Sequence, residues 1–289
     1  MNCFYIFPSP FFYLFSTMSI IFNRFNKSVA HYFKFTALYS TQTHFGFQTV
    51  DEAEKSKKVH QVFKSVADSY DAMNDVMSCG VHRLWKDELM RTLDPSPRTR
   101  LLDVAGGTGD IAFRYLKYIS DMKGDGHVTI ADINGSMLEE GKKRALNLEV
   151  NQDNVSWVEC DAENLPMESD SYSAYTIAFG IRNVTHIDKA LDEAYRVLEP
   201  GGRFLCLEFS QVNPAALRWL YDQYSFNVIP VMGHVVAGQW KPYQYLVESI
   251  RKFPCQEDFK YMIESAGFRC VTYTNLTFGV VAIHSGFKL

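Results

Sequence analysis

The chain has 289 residues, 47% of them hydrophobic, with a formal net charge of −4. That is enough material for one domain with extensions or for two small ones. The charge gives no reason to expect nucleic acid as a partner, and no 18-residue run is apolar and suitably flanked enough to predict a membrane span.

Residues 1–50 contain no Asp or Glu, and their only strong bases are Arg24, Lys27 and Lys34. A leader that is basic, hydroxylated and free of acids predicts mitochondrial targeting over 1–50. A secretory signal is the rival reading, since Phe4 to Phe22 is apolar, but it lacks a basic start. Met18 offers an alternative initiation site, and a disordered tail is the plain alternative. The six cysteines have no Cys-x-x-Cys spacing, and two lie in strand-like runs, so reduced thiols are expected. The eight His residues form no metal-ligand pattern, and no metal is expected.

From Val59, apolar residues recur at Val62, Phe63, Val66, Ala67 and Tyr70, which predicts a helix. A second fits Val81 to Leu93 and ends at "DPSP", Asp94–Pro97. These helices make 51–97 an N-terminal helical cover. Beyond it, strand-like and helix-like runs alternate: "RLLDVAG", "DIAFRYLKYI", "HVTIADIN", "SMLEEGKKRALNL", "VSWVECDA", "SYSAYTIAFG", "IDKALDEAYRVL" and "RFLCLEFS". Such alternation predicts an α/β fold on a mostly parallel sheet. The tail differs: "EDFKYMIESAGF" reads as a helix, and "RCVTYTNL" and "GVVAIHSGFKL" as strands joined too briefly for anything but an antiparallel pair. A seven-stranded Rossmann-like sheet ending in an antiparallel hairpin is the class I methyltransferase pattern, here expected over 98–289. Residues 217–250 insert an aromatic-rich segment that includes Trp219, Tyr221, Tyr224, Trp240, Tyr243 and Tyr245.

Within "LLDVAGGTGD", Gly106, Gly107 and Gly109 let the backbone turn and approach a ligand, and the helix that follows offers free N–H groups to an anion. The glycines alone leave a dinucleotide site open, because "GTGDIA" also satisfies Gly-x-Gly-x-x-Ala. Asp132 ends the second strand, where a carboxylate suits two ribose hydroxyls. Asp161 ends the third, where a side-chain acceptor and the N–H of Ala162 suit an adenine edge. Together with Asp103, the acid at the third strand end favours S-adenosyl-L-methionine over a dinucleotide.

These strings, with "ADINGSML", "DAENLPM", "FGIRNV", "RVLEPGGRFLCLEFS", "YDQYSFNVIP" and "GVVAIHSGFKL", resemble the ubiquinone/menaquinone biosynthesis C-methyltransferases from about Phe63 to Leu289. The resemblance implies C-methylation of a 2-methoxy-6-polyprenyl-1,4-benzoquinol. It matches Thr108, Asp132, Asp161 and Ala162 to cofactor contacts, Arg182 and Asn183 to a substrate-facing pair, and Tyr70 to the helical cover. Ala178 departs from the serine of many bacterial members. The family further implies peripheral contact with the matrix face of the mitochondrial inner membrane and partnership with other ubiquinone-biosynthesis proteins in a multi-subunit complex, with a homodimer left open. Arg182 is the expected phenolate clamp; its plain alternative is a surface cation capping Asp188. Three rival functions stand beside this one: O-methylation of a small phenol, nicotinamide-dependent dehydrogenation, and cofactor binding as a scaffold without turnover.

Overall fold

The computed structural model describes residues 42–66, 70–213 and 215–289, without the side chains of 70–72 and 237. Most of the expected leader therefore lies outside the described residues. The chain divides between Thr43 and His44, and the account below concerns His44–Leu289 with the strand that crosses this boundary. A two-stranded ribbon, β1 (Gln42–Phe45) and β2 (Gln48–Asp51), comes first. The Phe45 ring stacks on Tyr245 at 4.1 Å, and the Phe47 N–H donates to Glu248 at 3.0 Å.

Helix α1 (Glu52–Val66) starts seven residues before its first apolar signal. Its opening turns are polar, so they show no periodicity, yet Glu52 and Glu54 suit the positive end of the helix dipole. Helices α2 (Tyr70–Ser78) and α3 (Val81–Leu93) complete the cover, and Asp94 in the left-handed region stops α3 at the "DPSP" boundary.

The body alternates β3 (Arg100–Val104), α4 (Asp110–Asp121), β4 (His127–Asp132), α5 (Gly135–Asn147), β5 (Val155–Glu159), β6 (Tyr172–Ala178), α6 (Ile187–Val197) and β7 (Leu198–Phe209). Helices α7 (Ala215–Asn227), α8 (Ile229–Ala237) and α9 (Lys241–Lys252) form the insert. Helix α10 (Gln256–Ser265) precedes β8 (Arg269–Leu276) and β9 (Val281–Phe287). The seven-stranded order is β5-β4-β3-β6-β7-β9-β8, parallel except where β9 runs against β7 and β8.

Strand alternation splits the core in two. Leu101, Leu205 and Leu207 join Leu89, Ile111 and Tyr115 beneath α3 and α4. Leu102, Val104, Phe204 and Cys206 join Leu191, Ala194, Phe259 and Phe268 beneath α6 and α10. The inner strands β3, β4, β6, β7 and β9 are buried on both faces over most of their length, which is why their sequences read as near-continuous apolar runs, whereas the edge strand β8 is largely exposed. The strand order reverses between β3 and β6, and a ligand cleft opens at the carboxyl ends there.

Candidate active site

The carboxyl end of β3 breaks into a tight loop. Ala105 holds a left-handed φ of 52°, an uncommon conformation for a residue with a side chain. A Cβ on Gly106 would sit 2.7 Å from Ile130 and 2.9 Å from the Asp103 carboxylate, so only glycine fits. The Gly109 N–H donates to the Gly106 carbonyl at 2.9 Å, and α4 begins at the next residue. The backbone N–H groups of its first turn face the cleft side of the sheet.

The three predicted strand-end acids meet different surroundings. Asp132 accepts the Gly107 N–H on one oxygen at 2.9 Å and the Asn134 N–H on the other at 2.8 Å. Each oxygen keeps a second lone-pair site, so the carboxylate can still take two hydroxyl donors. Burial raises its pKa despite those bonds. Asp161 is exposed, and one oxygen accepts the Glu163 N–H at 2.9 Å. Asp103 is fully buried on β3 and accepts from the Thr176 hydroxyl at 2.7 Å, while its second oxygen has no partner among the described residues. Burial pushes its pKa up to about 7, with the Thr176 bond opposing. Gly106, Gly107, Thr108, Asp132, Asp161 and Ala162 line one cleft. Gly109 caps its helix at φ 80°. A loop only glycine can form and an acid with spare acceptors fit an adenosyl cofactor carrying a carboxylate.

The "FGIRNV" stretch follows β6. Phe179 takes a φ of 58° and is held by its N–H donating to the Leu207 carbonyl at 2.8 Å. A Cβ on Gly180 would lie 2.3 Å from the Ala105 Cβ, so this glycine lets the two strand ends touch. Arg182 is 7% exposed, and Nη1 donates to Glu208 Oε1 at 2.9 Å and to the Phe179 carbonyl at 2.5 Å. Its carboxylate partner is thus Glu208 on β7, and the expectation of a surface cation beside Asp188 does not describe it. Burial pushes the Glu208 carboxyl up, with Arg182 opposing. Asn183 accepts the Tyr245 hydroxyl at 2.9 Å.

A second cavity adjoins the first. Arg182 lines it, with Phe209, Tyr221, Tyr224, Ile229 and Tyr243 among the apolar walls. Asn183 lines the glycine cleft instead. The two neighbours therefore face two compartments, and Phe63, Lys86 and Phe179 border both. Tyr70 opens α2, and its side chain lies outside the described ones.

Several residues that shape the site carry little local signal in the sequence. Lys86, 6% exposed, donates to Asp110 at 2.6 Å. Burial alone would raise the Asp110 carboxyl, but Lys86, Arg114 and Arg144 hold it below its ordinary value. Lys55, 2% exposed, reaches the Val184 carbonyl at 2.9 Å and pins α1 over the cleft; burial lowers its pKa, with Glu163 opposing. Glu163 accepts the Thr185 and His186 N–H groups at 3.0 and 2.9 Å, tying two strand-end loops together. The helical period places Lys86 on the same face as Trp85 and Leu89, a charge among apolar positions and the one local signal of its burial. Glu208 was hidden in the apolar string "RFLCLEFS".

Residues 51–288 match the model of the ubiE/COQ5 methyltransferase family. The chain belongs to that family. A Drosophila melanogaster protein named 2-methoxy-6-polyprenyl-1,4-benzoquinol methylase, mitochondrial, is 61% identical over 256 residues, covering 86% of this chain and 85% of its own. The human protein of that name is 56% identical over 280 residues, covering 86% and 85%. A Thermotoga maritima S-adenosylmethionine-dependent methyltransferase, described as a possible histamine N-methyltransferase, superposes with a TM-score of 0.55 at 18% identity, over 79% of this chain and 99% of its own. That structure supports the fold alone. The dehydrogenase reading left open by the glycines falls with the family match. Among the described residues, no helix is long and apolar enough to cross a membrane.

Proposed function

We propose that the chain moves a methyl group from S-adenosyl-L-methionine to a ring carbon of a 2-methoxy-6-polyprenyl-1,4-benzoquinol, in the mitochondrion. The observation that carries this is the junction of the glycine cleft, with its strand-end acids, and an apolar cavity at Phe63, Lys86 and Phe179. A donor in one compartment and a greasy acceptor in the other would meet there, and such positioning removes a large part of the barrier.

Gly106, Gly107, Thr108 and Gly109 would hold the methionine end, Asp132 the ribose, and Asp161 with Ala162 the adenine. When bound, the cofactor supplies an electrophilic methyl on a sulfonium. The protein's task is to make a ring carbon nucleophilic. Arg182 would stabilise the phenolate with its guanidinium, whose buried Nε has no partner among the described residues. Glu208 and the Phe179 carbonyl fix its other end. Asn183 spends its carbonyl oxygen on Tyr245 and keeps its amide donors for a ring oxygen or a held water. Tyr70 would close the pocket from the cover. Product analysis with labelled S-adenosylmethionine and a short-tailed methoxy-benzoquinol tests the reading: a C-methyl product supports it, and an O-methyl product or no transfer overturns it.

The insert would house the polyprenyl tail, because its walls are apolar and Tyr224, Ile229 and Tyr243 come from three successive helices. Equal affinity for short- and long-tailed quinols would refute that role. We also propose peripheral contact with the inner membrane on the matrix side. Trp219, Leu220, Val231, Val235 and Trp240 stand exposed on or beside those same helices. Flotation with lipid vesicles that survives Val235→Asp and Trp219→Ser together would argue against it. The leader would be removed on import, and mass spectrometry of the mature protein would find a start downstream of Met1; an intact N-terminus in the mitochondrial protein would refute this. Assembly with other ubiquinone-biosynthesis proteins or with a second copy completes the proposal; sedimentation of the pure chain reads the latter.

A further inference from the structure

Methyl transfer to a quinol ring needs a proton acceptor, and an arginine that never deprotonates is a poor one. The apolar cavity also holds an imidazole. His82 and Lys86 are four residues apart on α3, so they share a face with Cβ atoms about 5–6 Å apart. Both line the apolar cavity, and Lys86 also borders the glycine cleft. His82 therefore stands one helical turn into the cavity from the junction where the reacting atoms would meet.

Its side chain is 9% exposed, and Nε2 lies 2.8 Å from Asp75 Oδ1. Arg83 donates to the same carboxylate through Nε at 2.7 Å and Nη2 at 2.6 Å. Those bonds, and then the one from His82, hold the Asp75 carboxyl far below its ordinary range. An ionised carboxylate only accepts, so Nε2 carries the ring proton and the lone pair is left on Nδ1. That nitrogen is buried and has no hydrogen-bond partner among the described residues. A buried acceptor left unpaired is costly unless something comes to fill it.

We propose that His82 Nδ1 is the general base of the methyl transfer and that Asp75 is its positioning residue. This rests on the function proposed above. Nδ1 takes the proton of a ring hydroxyl: the O–H bond breaks, an N–H bond forms, and the electron pair stays on oxygen. Ring electrons then form the new carbon–carbon bond to the methyl group while the pair of the carbon–sulfur bond stays on sulfur. The methylated carbon releases its hydrogen as a proton to water, and the imidazolium returns its proton to the ring oxygen. One proton leaves per methyl transferred, and no further co-reactant is needed.

Burial lowers the pKa of His82, with the Asp75 bond opposing, which keeps the ring neutral and ready to accept near pH 7. The charged groups acting on it are Asp75 from α2, Lys86 from its own helix and Asp110 from α4. Arg182 and Tyr224 share its cavity. The bland role for the pair is a staple between α2 and α3, and that role uses only the Nε2–H bond. His82→Gln separates the two, since a glutamine amide can still donate to Asp75 but offers no base. The expected result is a loss of kcat on the order of 10²- to 10³-fold with unchanged affinity for S-adenosylmethionine and unchanged Tm. The fall in wild-type kcat/KM on acidification, placed below about pH 6.5 by the lowered pKa, should vanish in the variant. Added imidazole should restore part of the rate of His82→Ala. A His82→Gln enzyme within about threefold of wild type, with its acid limb intact, overturns the proposal. So does a wild-type profile with no acid limb, which decides the matter should the variants not fold. Failure of the unaltered enzyme to methylate the quinol instead sinks the function on which this rests.

Discussion

The glycine cleft and the apolar cavity share a wall but are built in opposite ways. One side of the cleft is made of contiguous pieces, a loop after each of β3, β4 and β5 with acids at or just past the strand ends, while α1 and the loop after β6 close the other side. The cavity draws residues from the cover helices, the turn after β6, β7 and the insert, and their polar partners come from elsewhere: Glu208 behind the wall for Arg182, and Asn183 in the cleft for Tyr245. Recognition of a shared cofactor can be encoded in short strings, whereas a site for a particular acceptor is assembled by tertiary packing. Perturbing each side separately tests how independent the two compartments are.

The largest effect should come from the buried pair in the cavity wall. Arg182→Met strands the Glu208 carboxylate in a site where it is 1% exposed. Removing one partner of such a pair typically costs about 3–5 kcal/mol. Adding Glu208→Gln removes the stranded charge, so the double variant should recover most of the stability but none of the turnover. Thermal denaturation read beside kcat makes the distinction. Equal Tm values for the single and double variants would mean that Glu208 is not what Arg182 compensates.

On the cleft side, Asp132→Asn replaces one acceptor oxygen with a donor facing either the Gly107 or the Asn134 N–H. Hydrogen bonds to charged groups contribute about 1.5–3 kcal/mol each. Calorimetry should therefore show S-adenosylmethionine affinity falling by roughly 10- to 100-fold, while binding of a short-tailed quinol stays near that of wild type. Loss of both would show the compartments to be coupled through their common wall.

How far the sequence disclosed this arrangement follows the same division. The alternating runs, the antiparallel tail and the strand-end position of Asp132 were legible, because periodicity and turn chemistry are local, whereas Asp161 falls two residues past the end of β5. The beginning of α1 was not, since a polar surface turn leaves no apolar trace. Nor was the partner of Arg182. A glutamate inside "RFLCLEFS" looks like an ordinary interruption of a strand until β6 and β7 lie side by side, with Ala178 opposite Leu207. Lys55 and Lys86 are likewise charged residues on helices, and only packing shows that their ammonium groups are buried.

Asp103, buried on β3 beneath the glycine loop, gives a pH test. Its folded pKa of about 7 lies above the ordinary aspartate value near 3.9. Below that value the carboxyl is protonated in both folded and unfolded chains, so burial carries no ionisation penalty. As the pH rises toward about 7, the unfolded chain releases this proton while the folded one keeps it, and stability is lost across that window. Above the folded pKa the loss is complete. Urea midpoints should accordingly fall more steeply between about pH 4 and 7 for wild type than for Asp103→Asn, and then run parallel. Parallel curves throughout would assign the buried carboxyl an ordinary titration.

The mildest perturbation probes a neutral hydrogen bond that ties the two walls together. Tyr245 lines the apolar cavity, and its hydroxyl donates to Asn183, which lines the cleft, at 2.9 Å. Burial raises its pKa to about 12, so the phenol stays protonated and donating at any working pH. Tyr245→Phe keeps the ring and its stacking on Phe45, and removes only this bond. A neutral hydrogen bond contributes about 0.5–1.5 kcal/mol, so the change in stability should stay within that range. If Asn183 works as an oriented donor, its amide would be freed to rotate, and kcat should fall further than Tm suggests while S-adenosylmethionine affinity holds. A variant that loses stability but keeps full turnover would reduce Asn183 to a structural strut, and would leave Arg182 as the sole polar contact that this loop contributes to the quinol ring.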